Sequence, residues 1–193
     1  YLSEREKNFA VTHPICYIIT NHCSAKFSCF MHTHQIVSPF RDADHHHADC
    51  MDTALGKAED SCLRRGLRLT AIRRRVLELV WTKHEPVKAY DLLEALKQEK
   101  KGAAPPTVYR ALEFLQQQGF VHRIESLNAY VGCGEPGHQT TAQFLICHVC
   151  GVVAELEDRE IGNLIASKAH QLGFTSKHQT IEVHGLCTTC GSD

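Results

Sequence analysis

The stretch that decides the fold is residues 105–132, PPTVYRALEFLQQQGFVHRIESLNAYVG. The apolar positions of its first half lie at helical spacing: Val108, Ala111, Leu112 and Leu115. Two prolines at the start and Gly119 at the end delimit this helix. The second half changes to a period of two, which predicts short strands at 120–125 and 129–131. A helix followed by a two-stranded hairpin is typical of a winged helix-turn-helix domain.

The residues before this stretch complete such a domain. Apolar residues at helical spacing predict three further helices, within 52–66, 69–81 and 89–102. In a winged helix the helix at 105–118 is the one that enters the major groove of DNA. The side chains that its apolar face leaves pointing outward include Thr107, Tyr109 and Arg110. Arg can read guanine and Tyr can reach a phosphate or a thymine methyl group, so this face is a candidate DNA reader.

Charge is distributed unevenly along the chain. Residues 62–110 carry 12 Lys and Arg against 5 Asp and Glu, whereas residues 111–193 carry 4 against 9. A basic block favours a polyanionic partner, although a solvated charged helix face explains charge alone equally well. The remainder, residues 1–61, carries 5 basic and 8 acidic residues.

A second module follows a Gly- and Pro-containing linker. Two strands are predicted at AQFLIC and GVVAEL, then a helix over 158–173 and a last strand before the C-terminus. The predicted helix has an apolar face expected to point inward: Ile161, Leu164, Ile165 and Leu172. The overall fold class is therefore α+β, with an N-terminal winged helix-turn-helix DNA-binding domain and a small C-terminal α/β domain.

Two Cys-x-x-C pairs belong to the second module: Cys147 with Cys150, and Cys187 with Cys190. Each pair follows a strand and precedes a Gly, as zinc knuckles do, and two pairs supply the four thiolates of a structural zinc site. A redox role requires the pair at a helix N-terminus in a thioredoxin-like pattern, which neither shows. The early sequence has no signal peptide pattern and no stretch long enough to span a membrane, which favours a reducing cytoplasm over disulfides.

A less conspicuous set of metal-binding residue types brackets the junction between the modules. His122 lies in the wing, which is the predicted hairpin, and Cys133 and His138 lie in the linker. Glu155 comes just after the first Cys-x-x-C pair. Each has an ordinary explanation alone, but together they offer the ligand types that zinc accepts. A metal bound there would fix the angle between the two modules.

These motifs together resemble the ferric-uptake-regulator family. The matching segments are RLTAIRRRVLELV, AYDLL, PPTVYRALEFLQQQGFVHRIES, FLICHVCG and HGLCTTC, which span about residues 52–191. The resemblance implies a homodimer, with the C-terminal module as the dimerisation domain. The domains are then an extension (1–50) that is disordered or partly artefactual, a winged helix (51–132), a linker (133–142) and a dimerisation and metal-binding domain (143–193).

The family's functional residues map onto this sequence as follows. Cys147, Cys150, Cys187 and Cys190 match its structural zinc site, and His122, Cys133, His138 and Glu155 match the sensing site of its zinc-responsive members. Tyr109 and Arg110 match the DNA-reading pair, while Arg68 and Tyr90 match further DNA contacts. The resemblance therefore implies two zinc ions per subunit, and a double-stranded DNA operator as partner.

The sequence thus predicts a zinc-responsive, DNA-binding transcriptional repressor of zinc-uptake genes, without catalytic residues and without a membrane segment. A same-fold sensor of iron, manganese or peroxide is the first alternative, although the linker is poor in His and contains Cys, which suits zinc. A zinc or thiol enzyme and a zinc-storage protein are further alternatives. His178, Glu182 and His184 share one face of the last strand, and a third metal site there stays open beside a polar surface.

Overall fold

A computed structural model describes residues 35–40, 47–82, 85–99, 104–136 and 141–191. Within these residues the order of elements is β1 (Gln35–Ser38), α1 (His47–Arg64), α2 (Ala71–Val80), α3 (Ala89–Glu99), α4 (Pro105–Gln117), β2 (Val121–Ile124), β3 (Ala129–Gly132), β4 (Thr141–Cys147), β5 (Val153–Glu157), α5 (Arg159–Gln171) and β6 (Gln179–Gly185). The predicted α+β class, with helices first and a sheet after the hairpin, is confirmed.

The four N-terminal helices and the hairpin enclose one apolar core. Helix α4 begins at its two prolines, and its inward face is almost fully buried. The residues of that face are Val108, Ala111, Leu112 and Leu115. Strands β2 and β3 pair antiparallel, and an isolated bridge between Val87 and Tyr130 attaches the hairpin to the segment before α3. Thr70 occupies the position before α2, but its side chain makes no capping hydrogen bond.

The C-terminal residues form a four-stranded sheet in the order β1-β5-β4-β6. Strands β4 and β5 are antiparallel, whereas β4 and β6 are parallel and are connected through α5. Parallel strands need a crossover of this kind, because a tight turn cannot join their ends. A second apolar cluster lies between the hairpin and this sheet and is formed by Ile124, Val131, Phe144, Ile146 and Val153.

The structure differs from the sequence-based expectation at the N-terminal side. Residues 1–50 were expected to be a disordered or artefactual extension, yet Gln35–Ser38 form an edge strand on β5, and α1 begins at His47. A four-residue strand has too short a pattern to detect, and its pairing is decided by an edge more than 110 residues away. Residues 33–193 form one compact unit, so the domain boundaries at 132 and 143 stay predictions.

The apolar face of α5 was predicted to point into the core, and this prediction is wrong for the single chain. Ile161 and Ile165 are each 41% exposed, Leu164 is 60% exposed and Leu172 is 86% exposed. Gly162 is the buried residue of the helix. The helical period identifies an apolar face, but it does not say whether the same chain covers that face.

Candidate metal centre and nucleic-acid interface

The two Cys-x-x-C turns lie next to each other because their strands are parallel neighbours. Cys147 at the end of β4 pairs with Gly185 at the end of β6, and the amide of His148 donates to the carbonyl of Gly185 at 3.0 Å. Each turn closes on itself: the amides of Gly151 and Gly191 donate, at 2.9 Å each, to the carbonyls of the first Cys of their pairs. Gly151 has a φ of 76°, which a residue with a side chain rarely adopts.

The four sulfur atoms of these turns have the spacing of a zinc-thiolate site. The sulfurs of Cys147, Cys150, Cys187 and Cys190 all lie within 4.8 Å of one another. The Sγ atoms of Cys150 and Cys187 are 3.7 Å apart. A tetrahedral site with Zn–S bonds of ~2.3 Å places its sulfurs roughly 3.8 Å apart. The donor set therefore fits a closed four-thiolate zinc site.

The thiols of this cluster differ in their tendency to ionise. Hydrogen bonds from the backbone of Cys150 and Cys187 lower the pKa of Cys147 to about 6. Hydrogen bonding to the side chains of Cys187 and Cys150 raises the pKa of Cys190 to about 12. Ionisation is thus easier for Cys147 than for an ordinary thiol and harder for Cys190, and a bound cation would favour the thiolate form.

The second predicted cluster is also assembled, and it spans the junction. His122 on β2, Cys133 directly after β3 and Glu155 on β5 offer ligand atoms within 4.8 Å of one another. His122 Nε2 and Glu155 Oε1 are 2.8 Å apart. Cys133 and Glu155 are 2% and 3% exposed. The fourth predicted ligand, His138, lies outside the described residues.

The surroundings of Cys133 fix its position and oppose its ionisation. Its amide donates to the carbonyl of Phe120 at 3.0 Å. On the following residue, the carbonyl of Gly134 accepts from Lys57 Nζ of α1 at 3.0 Å. Burial, with a smaller contribution from the charge of Glu155, raises the pKa of the Cys133 thiol. An imidazole, a thiol and a carboxylate gathered in a buried site fit zinc, whose charge would favour the thiolate.

The imidazole of His122 also packs on the sheet. Its ring centroid lies 5.4 Å from that of Phe144, which is 1% exposed. Phe144 pairs with Glu155 on one side and with Glu182 on the other. The sequence alone does not indicate a role for Phe144, because a buried aromatic residue in a strand carries no ligand chemistry of its own.

Glu182, which the sequence analysis considered for a third metal site, binds the wing. Its carboxylate oxygens accept hydrogen bonds from the backbone amides of Glu125 at 2.7 Å and Ser126 at 3.1 Å. Partial burial raises the pKa of this carboxyl, but the hydrogen bonds outweigh that effect and the pKa lies below its usual value. In the described part of the chain, two groups of ligand side chains lie close enough together to hold a metal: the four-cysteine cluster and the cluster of His122, Cys133 and Glu155. Neither group includes His178, Glu182 or His184.

The residues predicted to read DNA are exposed on the helical domain. Thr107, Tyr109 and Arg110 are exposed on α4, and Tyr109 is 57% exposed. Tyr90, at the start of α3, is 67% exposed. Arg68 is exposed in the segment before α2, where its carbonyl accepts a hydrogen bond from Arg73 Nη1 at 2.7 Å. These side chains are available to a partner.

One contact that supports α4 was not found from the sequence. The guanidinium carbon of Arg73 on α2 lies 3.5 Å from the ring centroid of Phe114 on α4. A cation over an aromatic face at this distance is stabilising. The contact joins α2 to α4 and keeps a basic residue beside α4.

A winged helix joined to a sheet through a buried His, Cys and Glu set, with a separate four-cysteine cluster, defines a metal-binding winged-helix protein. The match to a family model extends this assignment. Residues 64–184 match the model of the ferric uptake regulator family, and the chain belongs to that family.

The curated relatives include zinc uptake regulation proteins. The chain is 45% identical to the zinc uptake regulation protein of Escherichia coli K12 over 139 residues, which cover 70% of this chain and 80% of that protein. It is 30% identical to the zinc uptake regulation protein of Mycobacterium tuberculosis H37Rv over 130 residues, which cover 66% of this chain and 97% of that protein.

Solved structures agree with these relatives. A zinc uptake regulator complexed with zinc and DNA superposes with a TM-score of 0.70 at 40% identity, covering 74% of this chain and 95% of that one. The holo form of XcZur superposes with a TM-score of 0.69 at 46% identity, covering 74% of this chain and 99% of that one. In the described residues, no helix is long and apolar enough to cross a membrane.

Proposed function

We propose that this chain is a zinc-responsive transcriptional repressor that binds an operator in double-stranded DNA and controls zinc-uptake genes. The observation that carries the proposal is the junction cluster, in which His122 of the wing lies 2.8 Å from Glu155 of the sheet, with Cys133 beside both. When the ligands of a metal site are divided between two modules, the metal contacts all of them only in one relative arrangement of the modules. Zinc binding therefore favours that arrangement.

The two metal sites have separate roles. Cys147, Cys150, Cys187 and Cys190 form the structural zinc site, since all four belong to turns at one end of the sheet. His122, Cys133 and Glu155, with His138 as the fourth ligand, form the sensing site. Each subunit thus binds two zinc ions, and only the second site reports on the zinc supply.

Helix α4 reads the operator from the major groove. Arg110 is suited to guanine and Tyr109 to a phosphate or a thymine methyl group, while Thr107 lies at the start of the same exposed face. Arg68 and Tyr90 add contacts to the flanking DNA. Because the basic block 62–110 binds a polyanion, affinity decreases steeply with salt.

The protein acts as a homodimer through its C-terminal sheet and helix. The apolar residues on α5 that a single chain leaves exposed (Ile161, Leu164, Ile165 and Leu172) supply a face for the partner subunit. A dimer presents two recognition helices, which suits an operator made of two half-sites. The thiols of both clusters need a reducing compartment, which supports a cytoplasmic location.

We assign the protein no enzymatic activity. A catalytic zinc site keeps a coordination position open for water or substrate. The four-cysteine set fills its own coordination sphere, and His138 completes the other. A sensing site that bound an exchangeable water and hydrolysed a substrate would contradict this assignment.

The proposal is tested by titrating zinc into the metal-free sensing site while operator binding is measured by fluorescence anisotropy. Zinc is expected to increase affinity for DNA from the chain's own promoter region, and iron(II) or manganese(II) at equal free concentration is not. Activation by iron or manganese, but not by zinc, would identify a same-fold sensor of another metal. Binding of zinc without any effect on DNA would indicate storage.

Two cysteine variants separate the sites. Cys133→Ser is expected to lose one zinc per subunit and the zinc response while remaining a folded dimer. Cys150→Ser is expected to lose the structural zinc together with the stable dimer. Metal content by atomic emission and mass by light scattering measure both. An unfolded Cys133→Ser protein would make Cys133 structural, and a stable Cys150→Ser dimer would remove the structural role.

A further inference from the structure

Three residues lie side by side across the C-terminal sheet, beneath the wing. Glu155 on β5 pairs with Phe144 on β4, and Phe144 pairs with Glu182 on β6. We call these three residues the junction row. Phe144 contacts the imidazole of His122, so the hairpin lies over the middle of the row. Both ends of the row are carboxylates, and both contact the hairpin.

The two ends of the junction row contact the hairpin by different chemistry. Glu155 lies beside His122 in the sensing site, where a bound zinc ion would hold the two side chains together. Glu182 meets the turn of the hairpin through its backbone, accepting from Glu125 at 2.7 Å and Ser126 at 3.1 Å. Successive backbone amides that converge on a carboxylate form an anion-binding nest, which needs no metal. Hydrogen bonds to an ionised acceptor are stronger than neutral ones.

A single attachment leaves a hairpin able to rotate about that point, whereas two separated attachments fix its orientation. The apolar contacts between the row and the hairpin are non-directional and set distance rather than angle. The α4 helix ends at Gln117 and β2 begins at Val121, so the orientation of the hairpin passes to the recognition helix through a three-residue connection.

We propose that Glu182 is a positioning residue for DNA binding. Its carboxylate fixes the turn between β2 and β3, which we call the wing turn, on β6. Because the hairpin is then attached at two points, zinc at the opposite end of the junction row orients α4; with one attachment, zinc would only hold the hairpin close to the sheet. The wing turn is then an internal attachment of the DNA-binding domain, with two of its amides directed at Glu182 rather than at DNA. The proposal rests on the proposed function for its DNA measurement, but its hydrogen-exchange measurement is independent of DNA.

The test compares Glu182→Gln with wild type in the full chain. The amide side chain keeps the shape, removes the charge and replaces one acceptor oxygen with a donor, so that one backbone amide loses its partner. In the zinc-loaded protein, exchange of the Glu125 and Ser126 amides is expected to accelerate. Zinc content should stay at two ions per subunit, and the zinc-dependent gain in DNA affinity should fall by about tenfold, within the usual range for coupling between sites.

Glu160→Gln is the matched control, because it makes the same chemical change on exposed α5, away from the wing. It is expected to change neither exchange at the turn nor the zinc-dependent gain. The proposal would be overturned if, in Glu182→Gln, either the hydrogen exchange of the Glu125 and Ser126 amides or the zinc-dependent gain in DNA affinity lay within twofold of the wild-type value. Loss of one zinc ion from Glu182→Gln would overturn it as well, by making Glu182 a metal ligand. If zinc does not change DNA binding by the wild-type protein, the proposed function is wrong. The hydrogen-exchange result still shows whether Glu182 holds the wing turn.

A different observation concerns the edge strand β1. Ser38 pairs with Glu155, and a Cβ on Gly134 would lie 3.0 Å from the carbonyl oxygen of Val37. The β1 strand therefore adjoins the sensing site at two points: it pairs with β5 at Glu155, and it approaches Gly134, the residue after Cys133. We infer that β1 forms part of the wall of the sensing site and increases its affinity for zinc.

Gly134→Ala tests this inference because its methyl group would press on Val37 while every ligand is retained. Exchange at residues 35–38 and 153–157 is expected to accelerate, and zinc affinity measured by competition with a chelator is expected to fall about tenfold, as for other residues that support metal ligands. A double variant, Ile36→Pro with Val37→Pro, should give the same result, since one of two consecutive strand residues donates to the neighbouring strand.

Gly56→Ala is the control for Gly134→Ala, because nothing lies within 4 Å of a Cβ at Gly56. It should leave exchange and zinc affinity unchanged. Unchanged zinc affinity in both β1 variants would overturn the inference. A loss of affinity in Gly134→Ala alone, with normal exchange in β1, would also overturn it, since the effect would then come from the linker.

Discussion

The close approach of Gly132 to Trp81 gives a sharp prediction for the junction. Gly132 ends β3 against the indole of Trp81, which is the only tryptophan of the chain and 7% exposed. A Cβ on Gly132 would lie 2.7 Å from Cζ2 of the ring and closer still to two further ring atoms. Carbon atoms in contact are ~3.5–4.0 Å apart, so Gly132→Ala requires the buried ring to move by about 1 Å.

Such overpacking of a buried site costs about 1–3 kcal/mol of the free energy of unfolding. For a chain of this length, the melting temperature should fall by roughly 2–12 °C. Thermal unfolding followed by circular dichroism measures the loss, and the fluorescence of Trp81 reports the displacement directly. The indole lines a small cavity together with Glu155, so the zinc response of Gly132→Ala should weaken as well.

Two further variants decide whether the close approach is the cause. Gly56→Ala introduces the same methyl group where nothing lies within 4 Å, and in helix α1 it should stabilise by about 0.5–1 kcal/mol. Trp81→Phe removes the atoms nearest to the new methyl group, so the double variant with Gly132→Ala should lose less than the sum of the single losses. A Gly132→Ala protein as stable as wild type, or strictly additive losses, would refute the reasoning.

The remaining predictions concern DNA affinity and the sheet domain. Arg110→Ala is expected to weaken operator binding by about 1–3 kcal/mol and to relax base preference at one position, as measured by anisotropy with mutated operators; unchanged affinity would remove α4 as the reader. Raising the salt from about 50 to 200 mM should lower the affinity by a factor of ~10³ or more if six or more phosphates are contacted, and a flat salt dependence would contradict the basic interface. Asp158→Ala removes an N-cap whose carboxylate accepts from the amides of Glu160 at 2.8 Å and Ile161 at 3.3 Å, and should cost about 1 kcal/mol in urea unfolding; an equally stable variant would show that the cap contributes nothing measurable.

Local pattern was sufficient to predict the DNA-binding half of the fold. Helix α4 was expected over 105–118 and spans Pro105–Gln117, and the hairpin strands were expected at 120–125 and 129–131 and span Val121–Ile124 and Ala129–Gly132. The four-cysteine cluster was equally accessible, because each pair is a local turn and the parallel register of β4 and β6 brings the turns together. The helix, the hairpin and each Cys-x-x-C turn depend on residues close in sequence, whereas the pairing of β4 with β6 that joins the two turns does not.

What the sequence did not reveal depends on contacts over long separations. The β1 strand pairs with β5, Lys57 reaches the carbonyl of Gly134, and Glu182 reaches the amides of the wing turn. A hydrogen bond between a side chain and a distant backbone leaves no periodicity, and a four-residue edge strand leaves very little. The prediction that the apolar face of α5 points into the core was wrong for another reason. An apolar stripe has the same sequence pattern whether its own chain or a second subunit covers it.

Under the proposed function, the positions of the two metal clusters account for the sensing role that we assign to one of them. The four cysteines lie in two turns that β4 and β6 already hold side by side, so an ion there would stabilise the sheet domain without changing its relation to the helices. His122, Cys133 and Glu155 come from β2, from the residue after β3 and from β5, and no single element holds them together. An ion shifts an equilibrium between conformations only by its difference in affinity for them. That difference is large for a site divided between hairpin and sheet, and small for a site contained within the sheet domain.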